Sequence, residues 1–104
     1  MEDPIFMSDK PLFIPMNAKY FDAFENGTKD SEYRLRGKRW NMETCAIGRR
    51  VVISNGYGKR HRRTGVVVGC HYCTVPSTLP GWLECYGAGA GDATVIKIKL
   101  DPQP

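Results

Sequence analysis

The apolar positions of this chain fall in short clusters whose period changes from one segment to the next. Leu12-Phe13-Ile14 is a brief apolar run, and Pro15, which has no amide hydrogen to donate, confines it to a sheet edge or a strand end. Asn17 then reads as the N-cap of a helix over residues 18–25. Tyr20, Phe21 and Phe24 lie on one side of that helix, a spacing that suits docking on a sheet. Asn26-Gly27 ends it, because glycine takes up the left-handed conformation that follows a helix C-terminus.

The period then drops to two. Ser31-Glu32-Tyr33-Arg34-Leu35-Arg36 alternates, with Glu32, Arg34 and Arg36 on one face and Tyr33 and Leu35 on the other. Residues 37–44 are polar and turn-like and carry Trp40. Val51 to Ser54 reads as a strand closed by Asn55-Gly56, a strong turn pair. Tyr57 to Arg63 forms a basic loop and Thr64 to Tyr72 returns, which predicts a hairpin with a cationic tip. Residues 74–92 read as irregular. The last strand, Ala93 to Leu100, alternates Ile96, Ile98 and Leu100 with outward Lys97 and Lys99. One or two helices and five or six short strands predict an α+β fold, a small closed or nearly closed β-barrel with a helix against it. The expected layout is a flexible tail over residues 1–10 and a single domain over 11–101.

Composition adds bounds. The chain has 104 residues, room for one domain, and 41% hydrophobic residues, enough for one modest core. Runs such as Val66-Val67-Val68 are too short to cross a bilayer. Acidic residues stand near Met1 where a signal peptide carries positive charge, so the expectation is a cytoplasmic protein with no membrane association. The net charge is +4. Cations gather between Arg34 and Arg50 and in Lys59-Arg60-His61-Arg62-Arg63, while acids concentrate up to Glu43. Clustered cations favour an anionic partner such as a nucleic acid, although a solvated loop has the same composition.

Four cysteines, Cys45, Cys70, Cys73 and Cys85, are expected as free thiols in a reducing compartment. Cys70-His71-Tyr72-Cys73 resembles half of a zinc site, with Cys85 or His61 as further ligands. On a strand, however, positions 70 and 73 point to opposite faces, and a second ligand pair is missing. The expectation is no metal and no cofactor.

The unit Gly27-x-Lys29-x-x-Glu32-x-Arg34, preceded by Tyr20-Phe21-Asp22-Ala23-Phe24, resembles the ASCH domain of the PUA-like superfamily. The likeness runs from about Leu12 to Tyr72 and resumes at the final strand, and within Cys45 to Ile53 the residues Ile47-Gly48-Arg49 stand in place of the family's usual valine-glycine-aspartate. It is absent from residues 74–92. The resemblance implies a PUA-like barrel with a polar cluster in a cleft between barrel and helix, and a role in RNA binding. It also implies enzymatic relatives, among them ribonucleases and a bacterial group of this size that removes the acetyl group from N4-acetylcytidine. In that amidohydrolase group a lysine, a threonine and a distant glutamate carry catalysis. Lys29 matches the lysine, Glu32 stands at the threonine position, and Glu84 lies in roughly the region of the glutamate.

The residues themselves suggest a division of labour. Lys29 and Arg34 can hold a phosphate, arginine through a bidentate fork and lysine as a point charge. Glu32 is left as an acceptor for a base edge or a ribose hydroxyl, or as a base on the 2′-hydroxyl if the trio cleaves RNA. Arg36, Arg39, Lys59, Arg60, Arg62 and Arg63 are candidate phosphate contacts. Trp40, Tyr57, Trp82 and Tyr86, placed in expected loops, are candidate stacking partners for unpaired bases. The expected function is RNA or nucleotide binding, with a hydrolase acting on RNA or a modified nucleoside as the alternative.

Overall fold

The computed structural model describes residues 10–103. The predicted tail therefore lies outside the described residues, apart from Lys10. Five strands form one sheet: β1 (Leu12–Met16), β2 (Ser31–Leu35), β3 (Arg50–Asn55), β4 (Arg62–Cys73) and β5 (Ala93–Leu100). Two helices, α1 (Ala18–Glu25) and α2 (Trp82–Tyr86), and a 3-10 turn at Pro76–Thr78 complete it. The strand order is β1-β3-β4-β5-β2, with β1 parallel to β3 and every other pair antiparallel. The sheet curls into a half-barrel, as the sequence pattern predicts.

The curl has a local cause. The twelve-residue β4 pairs with β3 along its first half and with β5 along most of its length, and its register slips between Val67 and Gly69. A bulge at that point bends the strand and increases its twist. The bend brings the two sheet edges, β1 and β2, towards each other. Arg34 on β2 bridges them by donating through a terminal guanidinium nitrogen to the Pro15 carbonyl on β1. Proline is tolerated in β1 because β1 is an edge strand.

The half-barrel is filled by Ile14, Val51, Ile53, Val67, Ile96 and Ile98, and α1 caps it with Phe21 and Phe24. Fully burying each of these side chains is worth roughly 1.5–3 kcal/mol, so α1 is held chiefly by its two phenylalanines. Its N-cap is the expected one, with the Asn17 side chain accepting from the Tyr20 amide at 3.0 Å. At the other end Gly27 has φ +82°, and the amides of Thr28 and Lys29 both turn back to the Ala23 carbonyl. That fixed turn delivers Lys29 beneath the helix at the entrance to β2.

Two expectations need correction. Residues 74–92 are not irregular throughout, since Trp82–Tyr86 forms a helix and Trp82 is buried rather than in a loop. The basic loop is also shorter than predicted. Arg62 and Arg63 already pair with Ser54 and Ile53 and so belong to β4. Among the described residues no helix is long and apolar enough to cross a membrane. All four cysteines are free, and no group of three or more His, Cys, Asp or Glu side chains comes together among the described residues. Burial pushes the Cys70 thiol up to about 11, which disfavours the thiolate that a metal would need.

Candidate functional site

Where the sheet edges approach each other they leave a pocket of about 150 Å³. That is enough for one six-membered ring. Its floor is the alternating strand β2, which contributes Glu32, Tyr33 and Arg34. The β1–α1 junction supplies Met16 and Tyr20, and Lys29 enters from the turn before β2. The α2 segment forms the roof with Trp82, Cys85 and Tyr86. The Lys29, Glu32 and Arg34 cluster is therefore assembled in one place, walled by aromatic rings.

Each member of the cluster sits in a different electrostatic setting. Glu32 is buried and accepts from Arg34 Nε at 2.8 Å through Oε2. No hydrogen bond to its Oε1 is formed among the described residues, and the residue lines the pocket. Arg34 is held on three sides: by Glu32, by the Pro15 carbonyl, and by the Trp40 ring 4.7 Å from its Cζ. It is a clasp between sheet edges before it is a ligand contact, which narrows the sequence-based reading of it as a free anion binder.

Lys29 has neither ion pair nor hydrogen bond from Nζ among the described residues. The ammonium instead lies 4.0 Å from the Tyr33 ring centroid, 5.4 Å from that of Tyr20 and 5.9 Å from that of Phe24. Each such contact is worth about 0.5–2 kcal/mol to the charged form. Burial outweighs the opposing charges of Glu32 and Asp30 and holds the lysine below its usual value. A lysine lowered in the folded state carries a stability cost that is fully present below its folded value. The cost is relieved as pH rises through that value towards the unfolded one near 10.4. Lys29→Met is therefore expected to melt higher than the wild type at pH 7, with the advantage shrinking as the pH rises through the lowered value of the lysine. Thermal melts across pH 6–10.5 check this, and a variant that melts lower at pH 7 would contradict it.

The aromatic wall is positioned by glycine. Gly81 precedes α2 with φ +80°, and a Cβ placed on it would lie 2.3 Å from the Tyr20 hydroxyl. The Tyr20 hydroxyl fills that space, so α1 packs against the residue that opens α2. Burial raises the Tyr20 phenol, and that of Tyr33, above the usual value, which leaves both as neutral hydroxyls. Trp82 and Tyr86 pack with ring centroids 4.3 Å apart and planes tilted by 34°. Gly81→Ala combines left-handed strain with displacement of Tyr20. The expected cost is about 1–3 kcal/mol in urea unfolding, and an unchanged midpoint would show that Tyr20 is not held as described.

The remaining candidates divide by whether their charge is already engaged. Arg63 donates to the Asp101 carbonyl at 2.9 Å and pairs with Glu25 at 3.5 Å. Arg36 lies 3.6 Å over the Tyr72 ring and 3.8 Å from Asp92. Arg39 and Arg34 both lie over the half-buried Trp40 ring, so Trp40 packs against protein. Lys59 and Arg60 are exposed at the hairpin tip. Glu84 is exposed and does not line the pocket, whereas its neighbour Cys85 does. His61 and His71 are exposed and outside it as well. Sequence reasoning did not place Tyr20, Tyr33 or Cys85 at the site. The four-residue spacing of Trp82 and Tyr86 was the available signal for a helix face over the cleft. The chain matches no protein-family model, and no curated protein matches it.

Proposed function

We propose that the chain is a nucleic-acid-binding protein of the ASCH type whose pocket receives a single unpaired nucleobase. The observation that carries this reading is a carboxylate, Glu32, bonded to Arg34 through one oxygen only and lining a ring-sized pocket together with Tyr20, Tyr33, Trp82 and Tyr86. A flat heterocycle satisfies both features together. Its faces stack on tyrosine or tryptophan, worth about 1–3 kcal/mol per base. An exocyclic amine on its edge donates to the carboxylate, as glutamate accepts from cytosine N4 in base readout. Lys29 then donates to a ring nitrogen or carbonyl oxygen beside that amine. The pocket's volume favours a pyrimidine over a purine, and the acceptor favours cytosine over uracil.

The experiment is an NMR titration of the protein with the four ribonucleosides. The reading expects cytidine to shift resonances of Glu32, Lys29 and Tyr33, with uridine weaker by about tenfold or more. Equal response to all four, or shifts confined to other surfaces, would count against it.

A second reading, hydrolysis of RNA or of a modified nucleoside such as N4-acetylcytidine, draws on one observation. A lysine whose value is lowered by burial beside a carboxylate is the kind of group that catalytic sites contain. Against it, neither histidine reaches the pocket to act as an acid, and Glu32 is committed to Arg34. Turnover that vanishes in Lys29→Met while the fold survives would favour hydrolysis. Inertness of the wild type towards both substrates would leave binding alone.

A further inference from the structure

The β3–β4 tip carries a second group of side chains that the pocket does not use. Tyr57 is 80% exposed, the most exposed large hydrophobic residue among those described. Its ring centroid lies 6.1 Å from that of Phe13 on β1, with the planes tilted by 51°. Arg62 lies 5.0 Å over the other ring, Phe13. The arrangement is held in place rather than loose. Arg62 Nε donates to the Gly58 carbonyl at 3.0 Å, Ser54 Oγ donates to the same carbonyl at 3.2 Å, and the Asn55 amide donates to the His61 carbonyl at 3.0 Å. An exposed aromatic ring on a fixed loop is costly to leave bare and well suited to stacking.

The charge around this platform is one-sided. Between Glu43 and Glu84 the sequence contains no acidic residue, so the hairpin carries no carboxylate of its own. Arg50 and Arg63 find acids elsewhere, on Asp101 and Glu25. Lys59 and Arg60, beside Tyr57, have no ion pair among the described residues and are exposed.

The platform and the pocket share an end of the sheet. Met16 pairs with Asn55, and the Gly56 amide donates to the Met16 carbonyl at 2.8 Å. Met16 lines the pocket and Phe13 belongs to the platform, so three strand steps, ~10 Å, separate the two. Phe13 alternates with the buried Leu12 and Ile14, so a path between the sites crosses the free edge of β1.

We infer that Phe13, Tyr57 and Arg62, with Lys59 and Arg60, form a second subsite, which stacks an unpaired base and contacts phosphates of a single-stranded nucleic acid. The inference rests on the proposed base pocket only for the direction of the strand, since a neighbouring nucleotide occupies that pocket. It makes the ligand an oligonucleotide rather than a free nucleotide.

The test is fluorescence anisotropy with a labelled hexacytidylate RNA and an RNA duplex of the same length, alongside the NMR titration with cytidine. Tyr57→Ala removes an exposed ring and is expected to leave the melting temperature unchanged. It should weaken hexamer binding by about tenfold to a hundredfold. The Lys59→Ala/Arg60→Ala double variant should reduce the slope of log affinity against log salt by about 1.4, at ~0.7 per lost single-strand phosphate contact. Cytidine shifts should persist in both variants. Hexamer affinity unchanged by Tyr57→Ala, or duplex bound as tightly as hexamer, would overturn the subsite. Hexamer binding that depends on Tyr57 without any cytidine response would uphold the subsite and overturn the pocket reading instead.

Discussion

Arg34→Ala is expected to lower stability by about 3 kcal/mol, or ~15 °C in the melting temperature of a domain this size. The loss is large because of what the guanidinium holds. Its side chain is 17% exposed and its partner Glu32 8%, so removing it leaves a carboxylate in a poorly solvated place without its cation. The Pro15 carbonyl loses its donor at the same time, and with it the bridge between the two sheet edges. A surface pair offers the contrast. Lys97 and Asp30 lie 3.8 Å apart with side chains 59% and 66% exposed, and Lys97→Ala should change stability by no more than ~0.5 kcal/mol. Arg34→Lys separates charge from geometry, since an ammonium cannot span Glu32 and Pro15 as the planar fork does. It should recover only part of the loss. Denaturant unfolding of the three variants checks the ordering, and equal effects from Arg34→Ala and Lys97→Ala would dismiss the clasp.

Glu32→Gln is expected to separate binding from folding. The amide oxygen still accepts from Arg34 Nε, so stability should fall by ~1 kcal/mol. The other head of the group becomes an N–H donor facing the donor edge of the base. An acceptor is thus replaced by a repulsive pairing where a hydrogen bond to a charged group was worth about 1.5–3 kcal/mol. Cytidine affinity should fall by about a hundredfold, measured by calorimetry on a variant shown to be folded. Full affinity in Glu32→Gln would mean that the carboxylate does not read the base.

Local patterns announced much of this architecture. The period of two over Ser31 to Leu35, the cap at Asn17, the glycine stop at Gly27 and the alternation of Ile96 and Ile98 are all short-range signals, and the elements lie where these signals put them. Helix α2 escaped because its one periodic signal, the spacing of Trp82 and Tyr86, spans a single turn, and what holds the helix is tertiary: Trp82 is buried and Tyr20 docks against Gly81. The hairpin tip came out shorter because cross-strand pairing of Arg62 and Arg63 overrides a basic composition that reads as loop.

The candidate site was legible in part. Lys29, Glu32 and Arg34 were recognisable because eight residues hold the whole unit. Its walls come from three separated segments, and Arg34's partner on β1 is a backbone carbonyl nineteen positions away. Side-chain types do not record such a contact. The distribution of charge was misleading for the same reason: Arg36 and Arg63 look free in the sequence, and Tyr72, Asp92, Glu25 and Asp101 engage them only in the fold.

The most direct test of the pocket is a crystal structure of the protein with bound cytidine. The expected result is a pyrimidine ring against the Tyr20 and Trp82 walls, its exocyclic amine within about 3.2 Å of Glu32 Oε1 and Lys29 beside the ring. Cytidine bound outside the space between β1 and β2, or seated there with its amine turned away from Glu32, would contradict it.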